Sequence, residues 1–304
     1  MRIVITGATS FLGKKLTETI LREGHECFAI VRPESVEKLK SLDADELLHI
    51  IPCDVTAVDE WKASLPSFDV FFHLAWSGVG AAGRANPEIQ AKNVETTLEC
   101  MKAAKQLGCK KFVFAGSQAE YGPTDDLTDE NHPCSPIIEY GKGKLEVLRR
   151  CTELSRILDM DYVHLRIFSV YGEGDHPWTL VSQCVRSFLN GETVDLSLCE
   201  QPWNFLYVDD AAEIIYLLGT RETEQGVYNI ASSDTRPLKD FVTEMWRLTG
   251  EKGNPNFGGR VNAAEKVYGI NPCIEKLQNA LQFTPKHTFE QGIKSMIKNA
   301  EVSK

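Results

Sequence analysis

The amino-acid sequence predicts an α/β fold, a doubly wound parallel sheet with helices on both faces. Short apolar runs alternate with amphipathic helical patterns along the first half of the chain, as crossover connections between parallel strands require. Some of these runs are apolar without interruption, residues 70–75 for example, which is typical of strands covered on both faces. A glycine-rich turn directly follows the first run and joins it to a helix.

The predicted elements follow one another in a regular order. Strands are predicted at residues 3–6, 27–31, 49–53, 70–75, 111–115 and 162–168. Helices are predicted at residues 11–23, 58–65, 87–107 and 140–158. Beyond about residue 170, Gly, Pro and Trp interrupt shorter elements. We therefore expect a sheet domain over residues 1–170 and a smaller C-terminal lobe over residues 171–304, with some interleaving of segments.

Composition and charge limit the classes of function. The chain has 304 residues, of which 42% are hydrophobic, enough for a substantial core. No apolar stretch approaches the ~20 residues that span a bilayer, and Met1 leads into the first strand without a signal-peptide pattern, so we expect a cytoplasmic protein. A net charge of -10 disfavours nucleic-acid and membrane partners. The nine cysteines form no C-x-x-C pair, so we expect reduced core thiols and no metal site.

The turn at residues 7–13 has the character of a dinucleotide pyrophosphate site. Gly7 permits a tight turn out of the strand, and small residues bring the backbone close to a phosphate. The N-terminus of the next helix offers unpaired N–H groups and a partial positive charge. The residues predicted to bind the cofactor here are Gly7, Thr9, Ser10, Phe11, Leu12 and Gly13. The alternative is an ordinary strand-to-helix connection.

The end of the second strand predicts which dinucleotide binds. Enzymes that prefer NAD carry a carboxylate here for the ribose hydroxyls, whereas this chain has Arg32. A guanidinium suits a 2′-phosphate, which favours NADP (NADPH) over NAD, although Glu34 weakens the argument and a solvated arginine is the alternative. Asp54, followed by Val55 after the third strand, is placed to reach the adenine amino group, or equally to cap a helix.

Tyr140 and Lys144 are the candidates for proton transfer. Four residues apart on a predicted helix, the phenol and the ammonium share a face, so the cation is expected to lower the pKa of Tyr140. Tyr140 then serves as a general acid or base. Ser117, after a predicted strand, can donate to a substrate carbonyl at the same sheet edge. The alternative for Ser117 is a turn-forming serine bonded to its own backbone.

Together these motifs resemble the extended short-chain dehydrogenase/reductase family, the group that acts on nucleotide-activated sugars. The motifs, in chain order, are TGATSFLG at residues 6–13, HLA at 73–75, NV at 93–94, FVFAGS at 112–117, YG at 121–122, Tyr140-x-x-x-Lys144, LR at 165–166, VYG at 170–172 and YVDD at 207–210. The resemblance runs from residue 2 to about residue 295. It implies a Rossmann dinucleotide-binding domain followed by a substrate-binding lobe.

The resemblance also implies roles for individual residues. The implied catalytic triad is Ser117, Tyr140 and Lys144, with Lys144 also bonding the nicotinamide ribose. On the cofactor side it adds Val55, Leu74, Ala75 and Asn93, the last as a support of the site geometry. On the substrate side it adds Trp76, Gln118, Ser169, Trp203 and Arg260. It further implies a homodimer packed through the helices at residues 87–107 and 140–158.

Departures from the family pattern narrow the reaction. Ser10 replaces a middle glycine of the first loop, where its hydroxyl is expected to donate to the pyrophosphate. Trp203 stands where family members commonly have an arginine that binds the substrate diphosphate. We interpret Trp203 as packing the lobe rather than stacking on a base or sugar. Arg260 is then the remaining candidate for binding the phosphates. Gln118 and Ala119 stand where dehydratases of the family carry an Asp-Glu pair, which disfavours a 4,6-dehydratase.

We therefore predict an NADPH-dependent reductase of a keto group on a nucleotide-activated deoxysugar. Arg32 favours this activity over an NAD-dependent epimerase, which keeps its cofactor bound and returns the hydride. A nucleotide-sensing module without catalysis is disfavoured, because all three catalytic candidates are present. The loop between the serine and the tyrosine carries Glu120, Gly122 and Glu130, which we interpret as a structured loop with solvated acids rather than as substrate contacts.

Overall fold

The computed structural model describes residues 1–42, 45–260 and 268–302. The strands are β1 (Arg2–Thr6), β2 (Glu26–Val31), β3 (Leu48–Pro52), β4 (Val70–His73), β5 (Lys111–Ser117), β6 (Asp161–Ile167), β7 (Ser169–Tyr171), β8 (Thr193–Leu196), β9 (Pro202–Tyr207), β10 (Gly226–Ile230), β11 (Thr235–Pro237) and β12 (Asn254–Phe257). The helices are α1 (Phe11–Arg22), α2 (Val58–Ala63), α3 (Ala81–Arg84), α4 (Pro87–Gln106), α5 (Glu139–Leu158), α6 (Leu180–Leu189), α7 (Val208–Thr220), α8 (Leu238–Leu248), α9 (Glu275–Leu281) and α10 (Phe289–Val302). Short 3₁₀ helices occupy Pro33–Leu39 and Gln118–Glu120.

Within the described residues, seven parallel strands form the main sheet in the order β10-β6-β5-β4-β1-β2-β3. Helices α1 and α7 share one buried apolar cluster with Ile3 and Ile5 of β1. Helices α2, α4 and α5 share a second cluster with Val4, which points to the opposite face. The predicted doubly wound α/β fold is thereby confirmed.

The predicted strands and helices are all present, with ends within two residues of those expected. One strand of the main sheet was not predicted: β10 pairs with β6 at the sheet edge. Helix α7, which covers the sheet, also comes from beyond residue 170. These segments cross the division into residues 1–170 and 171–304, which stays a proposal.

The remaining elements build a smaller core. Strands β11, β9 and β7 form one sheet, and β12 pairs with β8. Helices α6, α8 and α10 pack with them around the buried rings of Phe188, Phe205, Phe241 and Phe289. Across the described ranges, no helix is both long enough and apolar enough to cross a membrane. All nine cysteines are free thiols and seven of them are buried, as expected for core thiols.

The strand order reverses between β1 and β4, whose carboxyl ends border the crevice where open α/β sheets bind ligands. Gly7, directly after β1, has a φ of 77°, and a Cβ there would lie 2.8 Å from the backbone of Leu74 and Ala75. A Cβ on Gly13 of α1 would lie 2.1 Å from the Gly7 carbonyl oxygen. Glycine at these two positions lets β1, α1 and the loop after β4 meet at the crevice.

Candidate active site

The turn after β1 presents the N-terminus of α1 to the crevice. Ser10 caps this helix: its hydroxyl donates to the Gly7 carbonyl (2.8 Å) and accepts from the Gly13 N–H (3.1 Å). The hydroxyl hydrogen is therefore used inside the turn, and its donation to a pyrophosphate stays a prediction. The N–H groups of Phe11 and Leu12 lie in the first helical turn, where no preceding carbonyl of the helix can accept them. They suit the phosphates of a dinucleotide.

The ends of β2 and β3 carry the residues predicted to face the adenosine. Arg32 has a 61% exposed side chain and forms a 3.5 Å ion pair with Glu34, so a carboxylate competes for its guanidinium. Asp54 Oδ1 accepts from the Thr56 hydroxyl (2.6 Å) and the Thr56 N–H (2.9 Å), which hold the pKa of Asp54 below its usual range. Asp54 therefore does not cap α2, whose N-cap position is Ala57 without a side-chain hydrogen bond, and its contact with the adenine stays a prediction. Val55, beside it, is half-buried.

A buried hydrogen-bond chain joins β1, β4 and α4. The His73 ring bonds Thr6 Oγ1 through Nδ1 (2.9 Å) and Thr97 Oγ1 through Nε2 (3.1 Å). Burial lowers the pKa of His73 to about 3, so the ring is neutral and serves as a structural link. The Thr6 hydroxyl also accepts a hydrogen bond from the Ala75 N–H (3.2 Å), and the Thr6 carbonyl accepts one from the Leu74 N–H (3.2 Å). The start of the loop after β4 is therefore fixed against the dinucleotide turn.

Two amide side chains of α4 hold the rest of this loop. Asn93 accepts from the Ser77 N–H (3.0 Å) and donates to the Ser77 carbonyl (2.9 Å). Gln90 donates to the Gly83 carbonyl (2.8 Å) and accepts from the Trp76 indole N–H (2.8 Å). Asn93 lies where it can support the site geometry, as the resemblance implies. A direct contact between Asn93 and the cofactor stays a prediction.

Ser117 ends β5 and starts the 3₁₀ helix Gln118–Glu120. Its hydroxyl oxygen accepts from the Ala119 N–H (3.2 Å), and its own N–H donates to Glu120 Oε1 (2.8 Å). The turn-forming role weighed from the sequence is therefore present. In this turn the Ser117 hydroxyl acts only as an acceptor. Its hydrogen therefore remains available to bond a substrate oxygen.

Behind Ser117 lies a buried charge cluster that sequence reasoning missed. Glu120 is 0% exposed and bonds His164 Nε2 (2.9 Å) and Arg166 Nε (3.0 Å). Burial alone raises the pKa of Glu120, but His164 and Arg166 outweigh it and hold the pKa below its usual range. The interpretation of Glu120 as a solvated acid is wrong. Glu130 is half-buried and accepts the Asn229 N–H (2.8 Å), so it too belongs to the scaffold.

Helix α5 brings Tyr140 and Lys144 to one place. The Lys144 ammonium nitrogen lies 5.6 Å from the centroid of the Tyr140 ring and 3.7 Å from that of the Trp76 ring. It donates to the Ala115 carbonyl (2.6 Å), and burial lowers the pKa of Lys144 to about 7. The hydroxyl of Ser117 is close enough to Tyr140 to lower the pKa of the phenol. The three residues predicted for catalysis are thus neighbours.

The predicted electrostatics of Tyr140 need correction. Burial raises the pKa of Tyr140 above its usual value, and the groups that oppose this rise are the Ser117 hydroxyl and the Arg84 guanidinium, not Lys144. Arg84, the last residue of α3, lies 4.1 Å from the centroid of the Tyr140 ring. Sequence reasoning missed Arg84 because only the fold of the loop brings it to the tyrosine.

A cavity of about 250 Å³ opens beside the 3₁₀ helix that follows Ser117. Apolar and aromatic side chains line most of it, and Gln118 and Trp203, both predicted to bind substrate, lie in its wall. Trp203 also packs against the apolar clusters of both parts of the fold, as expected for a lobe-packing tryptophan. Within the described residues, its indole N–H is buried without a hydrogen-bond partner.

The other residues predicted to bind substrate lie elsewhere. Ser169 begins β7, and Arg260 is exposed beyond β12; neither lines this cavity. Trp76 packs on Lys144 and meets the Tyr140 ring edge-on, with centroids 6.3 Å apart. Trp76 therefore shapes the surroundings of the catalytic candidates. Substrate contacts by these three residues stay predictions.

A dinucleotide turn and a tyrosine–lysine helix that share one sheet edge are the arrangement of the extended short-chain dehydrogenase/reductase class of enzymes. The sequence model of the NAD dependent epimerase/dehydratase family matches residues 3–231. The chain belongs to this family, which confirms the resemblance of its motifs.

Curated relatives agree with this assignment, and a solved structure agrees with the fold. An uncharacterised UDP-glucose epimerase of Bacillus subtilis is 25% identical over 309 residues, which cover 98% of this chain and 97% of the relative. A dTDP-6-deoxy-L-talose 4-dehydrogenase (NAD(P)(+)) of Kitasatospora kifunensis is 25% identical over 317 residues, which cover 97% of this chain and 94% of the relative. The UDP-glucuronic acid 4-epimerase of Bacillus cereus, solved with UDP-glucuronic acid and NAD, superposes with a TM-score of 0.82 at 21% identity over 100% of both chains.

Proposed function

We propose that the protein inverts the configuration of one carbon of a nucleotide-activated sugar by oxidation and re-reduction, as an NAD-dependent epimerase. One observation carries this proposal: Ser117, Tyr140 and Lys144 are neighbours, and Gln118, directly after Ser117, lies in the wall of the cavity. The names of the relatives support a sugar nucleotide as substrate.

This proposal reverses the preference drawn from the sequence. A reductase that consumes NADPH needs a cation that selects the 2′-phosphate, and Arg32 was the residue offered for it. In the structure Glu34 pairs with Arg32, which weakens that argument. An epimerase needs no such selection, because it retains its cofactor through the catalytic cycle.

The residues of this chain supply proton transfer and orientation. Tyr140 takes the proton of the substrate hydroxyl as a phenolate during oxidation, and as the resulting phenol it returns that proton during reduction. The O–H of Ser117 donates to the same oxygen and stabilises its developing charge. Glu120 fixes Ser117 by accepting its N–H. Bound nicotinamide supplies the hydride chemistry.

A second candidate is the reductase predicted from the sequence, which acts on a keto group of a deoxysugar nucleotide with NADPH. Arg32 supports it, because the guanidinium lies at the end of β2 and would select NADPH if a 2′-phosphate displaced Glu34. The similarity to a 4-dehydrogenase named for NAD(P)+ also supports it.

Two assays on the purified protein separate these candidates. In the first, the protein with NAD is incubated with a panel of UDP- and dTDP-sugars, and the products are identified by NMR. In the second, NADPH or NADH is supplied with 4-keto-6-deoxy sugar nucleotides, and the absorbance of the reduced nicotinamide is followed. A changed configuration without net cofactor turnover supports the epimerase. Stoichiometric loss of NADPH supports the reductase, and inactivity in both assays contradicts both candidates.

We also propose that two copies of the chain associate through the outer faces of α4 and α5. The two helices lie side by side in one layer, where Arg150 of α5 pairs with Glu95 of α4. Ile157 of α5 is 80% exposed and offers this face an apolar group that a second copy would cover.

A further inference from the structure

Arg84 places a cation on the face of the tyrosine assigned to proton transfer. Its guanidinium carbon lies 4.1 Å from the centroid of the Tyr140 ring, within the range of a cation–π contact. Arg84 is only partly exposed, and no carboxylate of the described residues lies within ion-pair distance of it. Its charge is therefore not neutralised by a neighbouring acid.

The loop that carries Arg84 is held in place by close packing. A Cβ on Gly83 would lie 2.4 Å from the Cα of Gly78, so these two glycines bring the ends of the loop into contact. Gln90 of α4 donates to the Gly83 carbonyl (2.8 Å), and the Arg84 N–H donates to the Gly80 carbonyl (2.9 Å). The fold therefore determines the position of the Arg84 backbone.

Few other charges face Tyr140. The ammonium nitrogen of Lys144, on the same helix as Tyr140, lies 5.6 Å from the centroid of the Tyr140 ring. Burial lowers the pKa of Lys144 to about 7. From the 3₁₀ helix after β5, the carboxylate of Glu120 opposes ionisation of the phenol, while the Ser117 hydroxyl favours it. The loop after β4 adds Arg84 and the uncharged ring of Trp76. Of these groups, the arginine keeps its positive charge at every working pH.

We propose that Arg84 is a positioning residue that orients the Tyr140 ring and stabilises its phenolate form. Lys144, the cation that the helical spacing offers for this task, contributes only while it is protonated. Arg84 therefore supplies the constant part of the positive potential at the phenol. The link to catalysis rests on the proposed function, but the ionisation of Tyr140 can be measured without any substrate.

The test follows the titration of Tyr140 in the full chain, with and without NAD. The variants are Arg84→Gln, Arg84→Met and the charge-conserving Arg84→Lys, and the tyrosine signals are read by NMR of ring-labelled protein. Tyr140→Phe identifies the signal of Tyr140. We expect the pKa of Tyr140 to rise by roughly one unit in the Gln and Met variants and to stay near the wild-type value in the Lys variant.

An Arg84→Gln protein whose Tyr140 titrates as in the wild type would overturn the proposal, and so would equal shifts in all three variants. Thermal unfolding and NAD binding check that the variants are folded. Arg84→Ala gives a second route if the Gln and Met variants are not folded. In Arg84→Ala, added methylguanidinium should replace the missing cation and lower the pKa of Tyr140, whereas urea at the same concentration should not. If the two additives have the same effect on this pKa, the proposal is also overturned.

Once a substrate is found, the pH dependence of kcat/KM gives a second readout, through the limb that reports the ionisation of Tyr140. This limb should move to higher pH by roughly one unit in Arg84→Gln and stay at its wild-type position in Arg84→Lys. A purely structural role would lower kcat without moving this limb. Failure of the proposed function would appear as a wild-type protein without turnover. Failure of this inference would appear as an unshifted Tyr140 titration, so the two are distinguishable.

Discussion

At the scale of single residues, burial controls the protonation of the site. It raises the pKa of Tyr140 and lowers that of Lys144 to about 7, because burial favours the neutral form of each side chain. A neutral phenol is ready to donate a proton, whereas a phenolate needs the nearby positive charge. The spacing of the two residues indicates that they meet, but it does not indicate how water exclusion changes their acidity.

Replacing Tyr140 with Phe removes the proton donor and keeps the ring. We expect turnover to fall by roughly 10²–10⁴-fold, the usual contribution of a general acid or base, with little change in NAD affinity. Steady-state kinetics and calorimetric titration with NAD measure the two effects. Tyr216→Phe is the matched control, because the Tyr216 hydroxyl bonds His25 away from the site (2.9 Å). Turnover that survives in Tyr140→Phe would remove the assigned acid.

Replacing Lys144 with Met tests its buried charge through the pH dependence of stability. The pKa of Lys144 is about 7 in the folded chain, against an ordinary value of 10.5. Between these pH values the unfolded chain binds a proton that the folded chain does not. The free energy of unfolding of the wild type should therefore rise with pH, relative to Lys144→Met, by up to about 1.4 kcal/mol per pH unit.

Urea unfolding of the wild type and Lys144→Met at several pH values between 7 and 10 gives this slope. Below pH 7 both states hold the proton, so the difference between the two proteins should become constant. The exposed Lys142 of the same helix serves as the control, since Lys142→Met should give a nearly flat difference. A flat difference for Lys144→Met as well would contradict the lowered pKa.

At the scale of elements, the loop between β4 and α4 organises the site. Its beginning is bonded to the end of β1, and its remainder is held by the amides of Gln90 and Asn93. From this loop Trp76 reaches Lys144, and Arg84 reaches Tyr140. The helix and the strand supply the candidate catalytic residues, while the loop surrounds them and excludes water.

Gly83→Ala should disturb this loop. The added Cβ would lie 2.4 Å from the Gly78 Cα, and backbone on both sides must then move. We expect a loss of about 1–3 kcal/mol in the free energy of unfolding, the usual cost of overpacking, together with reduced turnover. Chemical unfolding and kinetics measure both. Gly80→Ala is the matched control, because nothing lies within 4 Å of its added Cβ. Equal effects of the two substitutions would refute the packing argument.

At the scale of the whole molecule, the chain returns to its first sheet after building part of the second core. Strand β9 lies in the smaller sheet, but α7 and β10, which follow it, cover and extend the main sheet. The two parts have separate buried apolar clusters, and Trp203 packs against both of them. The cavity beside the catalytic candidates is lined from both parts, so its shape depends on how they pack together.

Ile157→Asp tests the proposed dimer. A carboxylate on the outer face of α5 should be poorly tolerated at an interface between two copies, so we expect the mass in solution to fall from two chains to one. Size-exclusion chromatography with light scattering measures this mass. Leu198→Asp alters a residue that is 60% exposed and lies beyond β8, outside the α4 and α5 layer, and should leave the mass unchanged. A wild type that already elutes as one chain would contradict the dimer.

The sequence by itself determined the alternation of strands and helices, the glycine turn and the spacing of Tyr140 and Lys144, because these depend on local conformation and periodicity. Only the tertiary structure decided that β10 completes the sheet, that Glu120 is buried against His164 and Arg166, and that Arg84 lies on Tyr140. These contacts join residues far apart in the chain. The acidity of the site follows from the same packing, because the cost of burying a charge is set by what surrounds it.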